Sequence, residues 1–370
     1  MLLGYGLGFL AKSLQRNHVD GIGVYSRELY SALLKQDIEI APYLYGKYVF
    51  PKAYSIHSSF LQHVLEAQFF RKKITCQTKN FKPDLIHAPD HLIPRVNNIP
   101  VVATVMDLIP FIHPQWTRGK FRAVKNYLFK QTILSADHII TISEYSKQDL
   151  VNYFKLPEEK ISVTYLGVNP AFFEPIDVVQ KLQALQQLNL QPGFFLCVGT
   201  LQRRKNIEAA LRAHELLSLE DRAKHPLVIV GNAGWASKEL LINISKNEEL
   251  GYVRWLKYLP DLTVRCLLQS AQALIYASLY EGFGLPILEA FASGCPVITA
   301  NSTSLPEVAG DAAILVDPYD IDELNWQLQQ VISDAKLRDN LVFKGLERVK
   351  SFSWDNCAKK TMEIYKLISG

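Results

Sequence analysis

Tyr280-Glu281-Gly282-Phe283-Gly284-Leu285-Pro286-Ile287-Leu288-Glu289-Ala290 follows an apolar run at 273–277 and opens into a segment of helical periodicity. An apolar run, a glycine-punctuated turn and a helix make up one step of a parallel α/β unit. Pro286 suits the first helical position, where a missing N–H costs nothing. Gly282 and Gly284 let backbone approach a ligand closely, and a helix start presents free N–H groups to an anion. Glu281 falls in the turn and Glu289 about one helical turn in, so both can face one ligand at the junction. Carboxylate oxygens accept from hydroxyls, which suits a sugar or a ribose. Taken singly, the same acids read as a solvated loop residue and a first-turn complement to the helix dipole.

The same step recurs along the chain. Pro100-Val101-Val102-Ala103-Thr104-Val105, His138-Ile139-Ile140-Thr141-Ile142 and Phe194-Phe195-Leu196-Cys197-Val198 read as strands. So do Leu227-Val228-Ile229-Val230, Ala273-Leu274-Ile275-Tyr276 and Pro296-Val297-Ile298-Thr299. These runs are continuously apolar rather than alternating, which predicts strands covered on both faces, hence parallel sheets between helices. The pattern lapses over Gly167-Val168-Asn169-Pro170-Ala171-Phe172-Phe173-Glu174-Pro175 and then restarts. Two Rossmann-like domains joined near residue 170 follow, with ligand expected beyond the carboxyl ends of the strands, in a cleft between them. The opening Met1-Leu2-Leu3-Gly4-Tyr5-Gly6-Leu7-Gly8-Phe9-Leu10 is expected to be a first buried strand and glycine turn; it has no basic leader or small-residue cleavage site of a secretion signal.

A second polar cluster follows the strand ending at Val198: Gly199-Thr200-Leu201-Gln202-Arg203-Arg204-Lys205-Asn206. Three adjacent cations there form a phosphate site in waiting. Alone, a basic loop is usually just solvated. Paired with the 280–290 segment it offers cations for a diphosphate beside acids for sugars.

Composition bounds the rest. The chain has 370 residues, 48% hydrophobic and 21% charged, which is globular and long enough for two domains. A net charge of +4 is too mild for a nucleic-acid binder. It is uneven: residues 1–170 carry 20 basic and 13 acidic side chains, which fits a face that meets an anionic lipid or ligand, or else scattered solvated lysines. Five cysteines (Cys76, Cys197, Cys266, Cys295 and Cys357) are widely spaced with no CxxC pair, which argues for a reducing compartment and against structural zinc. No stretch gives the roughly 20 apolar residues of a membrane-spanning helix.

These motifs carry a family resemblance. Glu281 to Glu289 resembles the E-x7-E motif of the family 4 (group 1) retaining glycosyltransferases, and so do the continuations Ser293-Gly294-Cys295-Pro296-Val297-Ile298 and Leu305-Pro306-Glu307-Val308-Ala309-Gly310-Asp311-Ala312-Ala313. Val198-Gly199-Thr200 with Arg204-Lys205-Asn206 is similar to their diphosphate site; Pro83-Asp84-Leu85-Ile86-His87, Ile142-Ser143-Glu144 and Phe352-Ser353-Trp354 are similar as well. The resemblance implies the GT-B fold, two Rossmann-like domains with parallel sheets facing across a cleft. Residues 1–170 would form an acceptor-binding domain, 171–350 a nucleotide-sugar-binding domain, and 351–370 a helix crossing back to the first. It implies that Glu281 binds hydroxyls of the donor sugar and Glu289 the ribose, while Arg204 and Lys205 hold the diphosphate and stabilise the leaving group. Backbone at Phe283, Gly284 and Leu285 completes that cradle, and Gly21-Ile22-Gly23 resembles the family's glycine loop, bringing Gly23 near the donor phosphate. In the mechanism favoured for such enzymes, the acceptor attacks the donor's own face and the departing phosphate takes the proton, so no protein nucleophile is needed.

Two positions depart from the pattern. Many relatives carry His before the Asp of Val105-Met106-Asp107-Leu108; Met106 neither hydrogen-bonds strongly nor moves a proton, and Asp107 remains as a polar group near the donor sugar. Thr200 stands where many relatives place a further phosphate-binding Arg, with neighbouring Arg203 the candidate to compensate. Asp320-Ile321-Asp322 spells a DxD but precedes a helical pattern, so Asp320 reads as an N-cap rather than a metal ligand. No metal or other cofactor is expected. In residues 118–130, Phe121, Val124 and Leu128 share a stripe ringed by Arg122, Lys125 and Lys130. The simpler expectation packs this stripe on the domain's own sheet; the alternative rests it on anionic lipid.

The sequence therefore predicts a metal-independent retaining hexosyltransferase of polysaccharide biosynthesis, cytoplasmic or peripheral at the inner membrane face. Its donor would be UDP-glucose first and GDP-mannose next, its acceptor a glycan or lipid-linked sugar, with no nucleic-acid partner. A nucleotide-sugar epimerase of the same fold and a non-catalytic nucleotide-sugar-binding relative are the alternatives.

Overall fold

Short, buried and mostly apolar runs form the centres of two parallel sheets. The computed structural model describes residues 1–15, 21–45, 52–57, 59–69, 81–117 and 121–369. The chain divides into two units, Met1–Gly167 with Ser353–Gly370, and Val168–Phe352.

The first unit holds β1 (Leu2–Gly6), β2 (Glu39–Tyr45), β3 (Tyr54–His57), β4 (Leu85–Ala88), β5 (Val101–Thr104), β6 (His138–Thr141) and β7 (Ile161–Val163). They form a seven-stranded sheet in the order β3-β2-β1-β4-β5-β6-β7, parallel throughout. The second unit holds β8 (Phe195–Val198), β9 (Leu227–Val230), β10 (Val253–Trp255), β11 (Ala273–Tyr276), β12 (Val297–Ala300) and β13 (Ile314–Val316). Their order, β10-β9-β8-β11-β12-β13, is again all parallel. The strands expected near residues 101, 138, 195, 227, 273 and 297 are all present. Leu227, Val228, Leu274, Val297 and Ile298 have no exposed surface, each burial stabilising by about 1.5–3 kcal/mol.

The order of each sheet decides where a ligand can sit. Strand order reverses between β1 and β4 in the first unit and between β8 and β11 in the second. At such a reversal, consecutive crossovers leave to opposite faces and the loops at the strands' carboxyl ends part, opening a crevice. The loops after β8 and β11 are the two segments that the sequence singles out.

The last helix, Trp354–Ser369, belongs to the first unit. Within that unit a Cβ on Gly167 would lie 2.1 Å from the Trp354 nitrogen, so only glycine fits where the returning chain passes. Within the second unit the Val168 N–H donates to the Phe352 carbonyl at 3.3 Å. Asp320 caps helix Ile321–Ser333, accepting from the Glu323 N–H at 2.8 Å.

One packing expectation is corrected. Leu128 is buried, but Phe121 is 78% exposed and Val124 53%. The stripe splits because helix Arg122–Ser135 begins after Phe121, which stands before it in the left-handed conformation at φ 58°. Arg118, Gly119 and Lys120 lie outside the described residues, as does Cys76; Cys197, Cys266, Cys295 and Cys357 are buried free thiols. Among the described residues no helix is long and apolar enough to cross a membrane.

Candidate active site

The turn after β8 is a short 3-10 helix, Arg203–Lys205, ended by Asn206 in the left-handed conformation at φ 52°. Asn206 holds it down, its side-chain amide donating to the carbonyls of Ala277 at 3.0 Å and Pro318 at 2.8 Å. The Leu279 N–H donates to the Arg204 carbonyl at 2.7 Å, so the loop after β11 is tied to the loop after β8. A Cβ on Gly231 (φ +151°) would lie 2.0 Å from the Gly199 carbonyl oxygen, so the loop after β9 packs there backbone on backbone.

This scaffold brings Arg204, Lys205 and Glu281 together. Arg204 donates to Glu281 Oε2 at 2.7 Å and, through Nε, to Gln202 at 3.1 Å. The Lys205 ammonium lies 2.6 Å from Glu281 Oε1 and donates to the Tyr276 hydroxyl at 2.5 Å. Glu281 is only 8% exposed. Burial alone would push its carboxyl up; Lys205 and then Arg204 outweigh burial and hold it at about 2. Burial pulls the Lys205 ammonium below its usual range, against the pull of Glu281. Both carboxylate oxygens of Glu281 are therefore held by a cation, Oε2 by Arg204 and Oε1 by Lys205. Each carboxylate oxygen carries two lone pairs, so the pinned group keeps capacity to accept from a hydroxyl.

The remaining predicted residues of this unit flank the cluster. Thr303 Oγ1 accepts from the Glu281 N–H at 3.2 Å, and the Ser304 hydroxyl donates to the carbonyls of Glu281 and Phe283 at 2.9 and 2.8 Å. Phe283 is buried, and Gly284 precedes helix Leu285–Ala292 at φ 129°, with no side-chain cap on that helix start. Pro286 stands second in the helix rather than first, behind Leu285. Glu289 stands one turn in, its carboxyl pushed up to about 7 by burial and by Asp261, with Lys205 opposing. Two carboxylates eight positions apart thus carry different charge near neutral pH. Tyr276, Thr303 and Ser304 are partners of the cluster that the sequence analysis missed. Tyr276 had a signal, a hydroxyl-bearing residue closing an apolar strand at its carboxyl end.

Thr200 packs beside Gly234, where an added Cβ would lie 2.4 Å from Thr200 Cγ2. Arg203 is exposed and, among the described residues, has no ion-pair partner.

Gly23 and Asp107 lie in the first unit. Gly23 is buried in the first turn of helix Gly21–Leu33, so the expected glycine loop is, in its described part, a helix start. Asp107 accepts from the Ile109 N–H at 3.0 Å. A cavity of about 610 Å³ opens at this unit's strand-order reversal, lined by Ile22, Asp90, Met106, Asp107 and Phe129 among others. Asp90 is held by the N–H groups of Leu92 at 2.7 Å and Phe9 at 3.3 Å. Acids and lysines (Lys12, Lys125) sit in a largely apolar wall, the mix that takes a sugar's hydroxyls and its apolar face. Met106 contributes to that wall.

Comparison with known proteins gives a consistent result. The family profile "Glycosyl transferases group 1" matches residues 179–348, and "Glycosyltransferase Family 4" matches 19–172. O-antigen chain mannosyltransferase B of Escherichia coli is 34% identical over 78% of this chain and 76% of its own. O-antigen chain mannosyltransferase RfbU of Salmonella typhimurium is 27% identical over 83% of this chain and 77% of its own. Among solved structures, a sucrose-phosphate synthase from Thermosynechococcus elongatus superposes with a TM-score of 0.74 at 19% identity, covering 99% of this chain and 98% of the other. At that identity the likeness speaks to fold, and the fold is GT-B.

Proposed function

The chain belongs to the group 1 glycosyltransferases of family 4, and from that premise we propose that it transfers mannose from GDP-mannose to a glycan or lipid-linked acceptor in surface-polysaccharide assembly. The observation that carries the reading is the buried Glu281 carboxylate, pinned by Arg204 and Lys205 at the carboxyl ends of β8 and β11. That carboxylate accepts from a hydroxyl of the donor sugar. Arg204 and Lys205 neutralise the diphosphate, and the charge that develops on it as the glycosidic bond breaks falls on two preorganised cations. Glu289 serves the ribose, and backbone at Phe283, Gly284 and Leu285 lines the approach.

Mannose is supported over glucose by the relatives, two of which are O-antigen mannosyltransferases; the preference for UDP-glucose drawn from sequence alone gives way to GDP-mannose. The cavity of the first unit receives the acceptor's terminal sugar, with Asp107 in its wall. The acceptor hydroxyl attacks from the leaving group's side, its proton passes to the departing phosphate oxygen, and configuration is retained. No step is assigned to a metal, because the two cations supply the positive charge. The protein works at the cytoplasmic face of the membrane, where a lipid-linked acceptor is presented.

The test is incubation with GDP-mannose or UDP-glucose and a panel of octyl α- and β-glycosides, with and without EDTA. An α-linked mannoside, formed equally with EDTA, is expected. A β-linked product overturns retention, glucosyl transfer overturns the donor, and donor conversion without acceptor favours an epimerase.

A further inference from the structure

Four buried polar side chains form a hydrogen-bonded line through the first unit, from the last helix of the chain to the wall of the cavity. The Tyr365 hydroxyl, on helix Trp354–Ser369, lies 2.6 Å from His87 Nδ1 on β4. His87 Nε2 lies 2.8 Å from Thr104 Oγ1 at the end of β5. Thr104 Oγ1 lies 2.9 Å from the Tyr25 hydroxyl on helix Gly21–Leu33. Tyr365, His87 and Tyr25 are 0% exposed and Thr104 is 2%. All four stay neutral at working pH: burial drives His87 down to about 3 and both tyrosines well above 10.

A neutral imidazole donates from one nitrogen and accepts at the other. The line therefore runs one way, with Tyr365 donating to His87 and His87 to Thr104, or the reverse. Either way a single ring couples the last helix to β5 and, through Thr104, to Tyr25. The far end of the line meets the cavity. Thr104 lines it, Asp107 follows three residues later, and Ile22, which also lines it, stands three residues before Tyr25 on the same helix. Residues three apart share a helix face. Two walls of the cavity, the end of β5 and the first turn of helix Gly21–Leu33, thus take their placement from one buried line.

We propose that His87 and Tyr365 are positioning residues for transfer, holding the acceptor cavity's walls in register from the C-terminal helix. This rests on the reading of that cavity as the acceptor's place. Neither residue lines the cavity, so neither acts by contact with the acceptor.

The experiment uses Tyr365→Phe and Tyr25→Phe, which cut the line at either end while keeping ring volume. It measures steady-state kinetics on whichever octyl glycoside supports turnover, GDP binding by calorimetry, and His87 15N shifts. Losing a hydrogen bond in a buried line raises the acceptor KM about fivefold to tenfold in each variant, with kcat within about twofold. The double variant falls well short of the product of the two, since both cut one network. GDP, whose proposed contacts lie in the second unit, keeps its Kd within about twofold, and the His87 tautomer signature changes in Tyr365→Phe. A lower Tm with unchanged KM overturns the proposal and leaves the line a purely structural feature. A parallel loss of GDP affinity also overturns it. If the wild-type protein binds GDP-mannose yet glycosylates no acceptor, the transferase reading itself falls, an outcome distinct from both.

Discussion

Glu281→Gln keeps the side chain's shape and removes the charge that holds Arg204 and Lys205. The carboxyl sits at about 2 against an ordinary 4.5, and at 1.36 kcal/mol per pH unit that difference is worth about 3 kcal/mol. Breaking one partner of a buried ion pair costs about 3–5 kcal/mol, in agreement. A depressed carboxyl gives stability that is present above its unfolded value and lost as pH falls towards the folded value. The penalty of the substitution is therefore full at pH 7 and shrinks from about pH 4.5 downwards. For a unit of this size, 3 kcal/mol lowers Tm by about 6–12 °C. The transition to follow is the one that GDP raises. Binding supplies a second readout. Without the carboxylate the two cations lack a counter-charge, so GDP binds as well as before or better, while the gain from the added mannose disappears. Equal Tm values for variant and wild type at pH 7, or GDP and GDP-mannose weakened in parallel, refute the reasoning.

Other perturbations follow from the same geometry. Because burial and Asp261 raise the Glu289 carboxyl to about 7, the stability it contributes falls as pH rises from about 4.5 to 7; wild type should lose its advantage over Glu289→Gln across that window in pH-dependent denaturant titrations. Donor binding, which needs the ionised form to accept from ribose, should strengthen between pH 6 and 8 in wild type only. Gly231→Ala puts a Cβ 2.0 Å from the Gly199 carbonyl oxygen at φ +151°, a strain of about 3 kcal/mol or more, read as a lower denaturant midpoint with weakened GDP binding. Exposed Phe121, Val124 and Tyr127 beside Arg122 and Lys125 should bring the protein down with phosphatidylglycerol vesicles at low salt, release it at high salt, and lose binding in Phe121→Ser/Val124→Ser; indifference to such vesicles removes the membrane contact.

The strands most legible in the sequence were those with both faces buried. β8, β9 and β11 are four-residue apolar runs and β12 nearly so, because helices cover both sides of the sheet, and such runs stand out against polar turns. β2 was missed: it starts exposed at Glu39 and carries Pro42, a residue that cannot donate to a ladder, yet Pro42 stands in register opposite Tyr5. β10 and β13 have three residues each, too few to show a period.

The site divides in the same way. Arg204, Lys205 and Glu281 were visible because each sits in the loop beyond an apolar strand, where a parallel sheet places its ligands. Thr303 and Ser304 were not, since nothing local marks a hydroxyl that serves the backbone some twenty residues back; only the pairing of β11 with β12 brings them together. The line from Tyr365 to Tyr25 joins residues hundreds of positions apart and left no local trace. Phe121 misled because periodicity continued past the residue at which the helix begins.

The central claim is that the Arg204–Lys205–Glu281 cluster is a GDP-mannose site. Calorimetric titration of the wild-type protein with GDP-mannose and with UDP-glucose tests it most directly. The account predicts saturable binding of GDP-mannose at least tenfold tighter than UDP-glucose, about 1.4 kcal/mol or more, and weaker GDP-mannose binding in Glu281→Ala. Binding of neither donor, or GDP-mannose binding that Glu281→Ala leaves untouched, would contradict it.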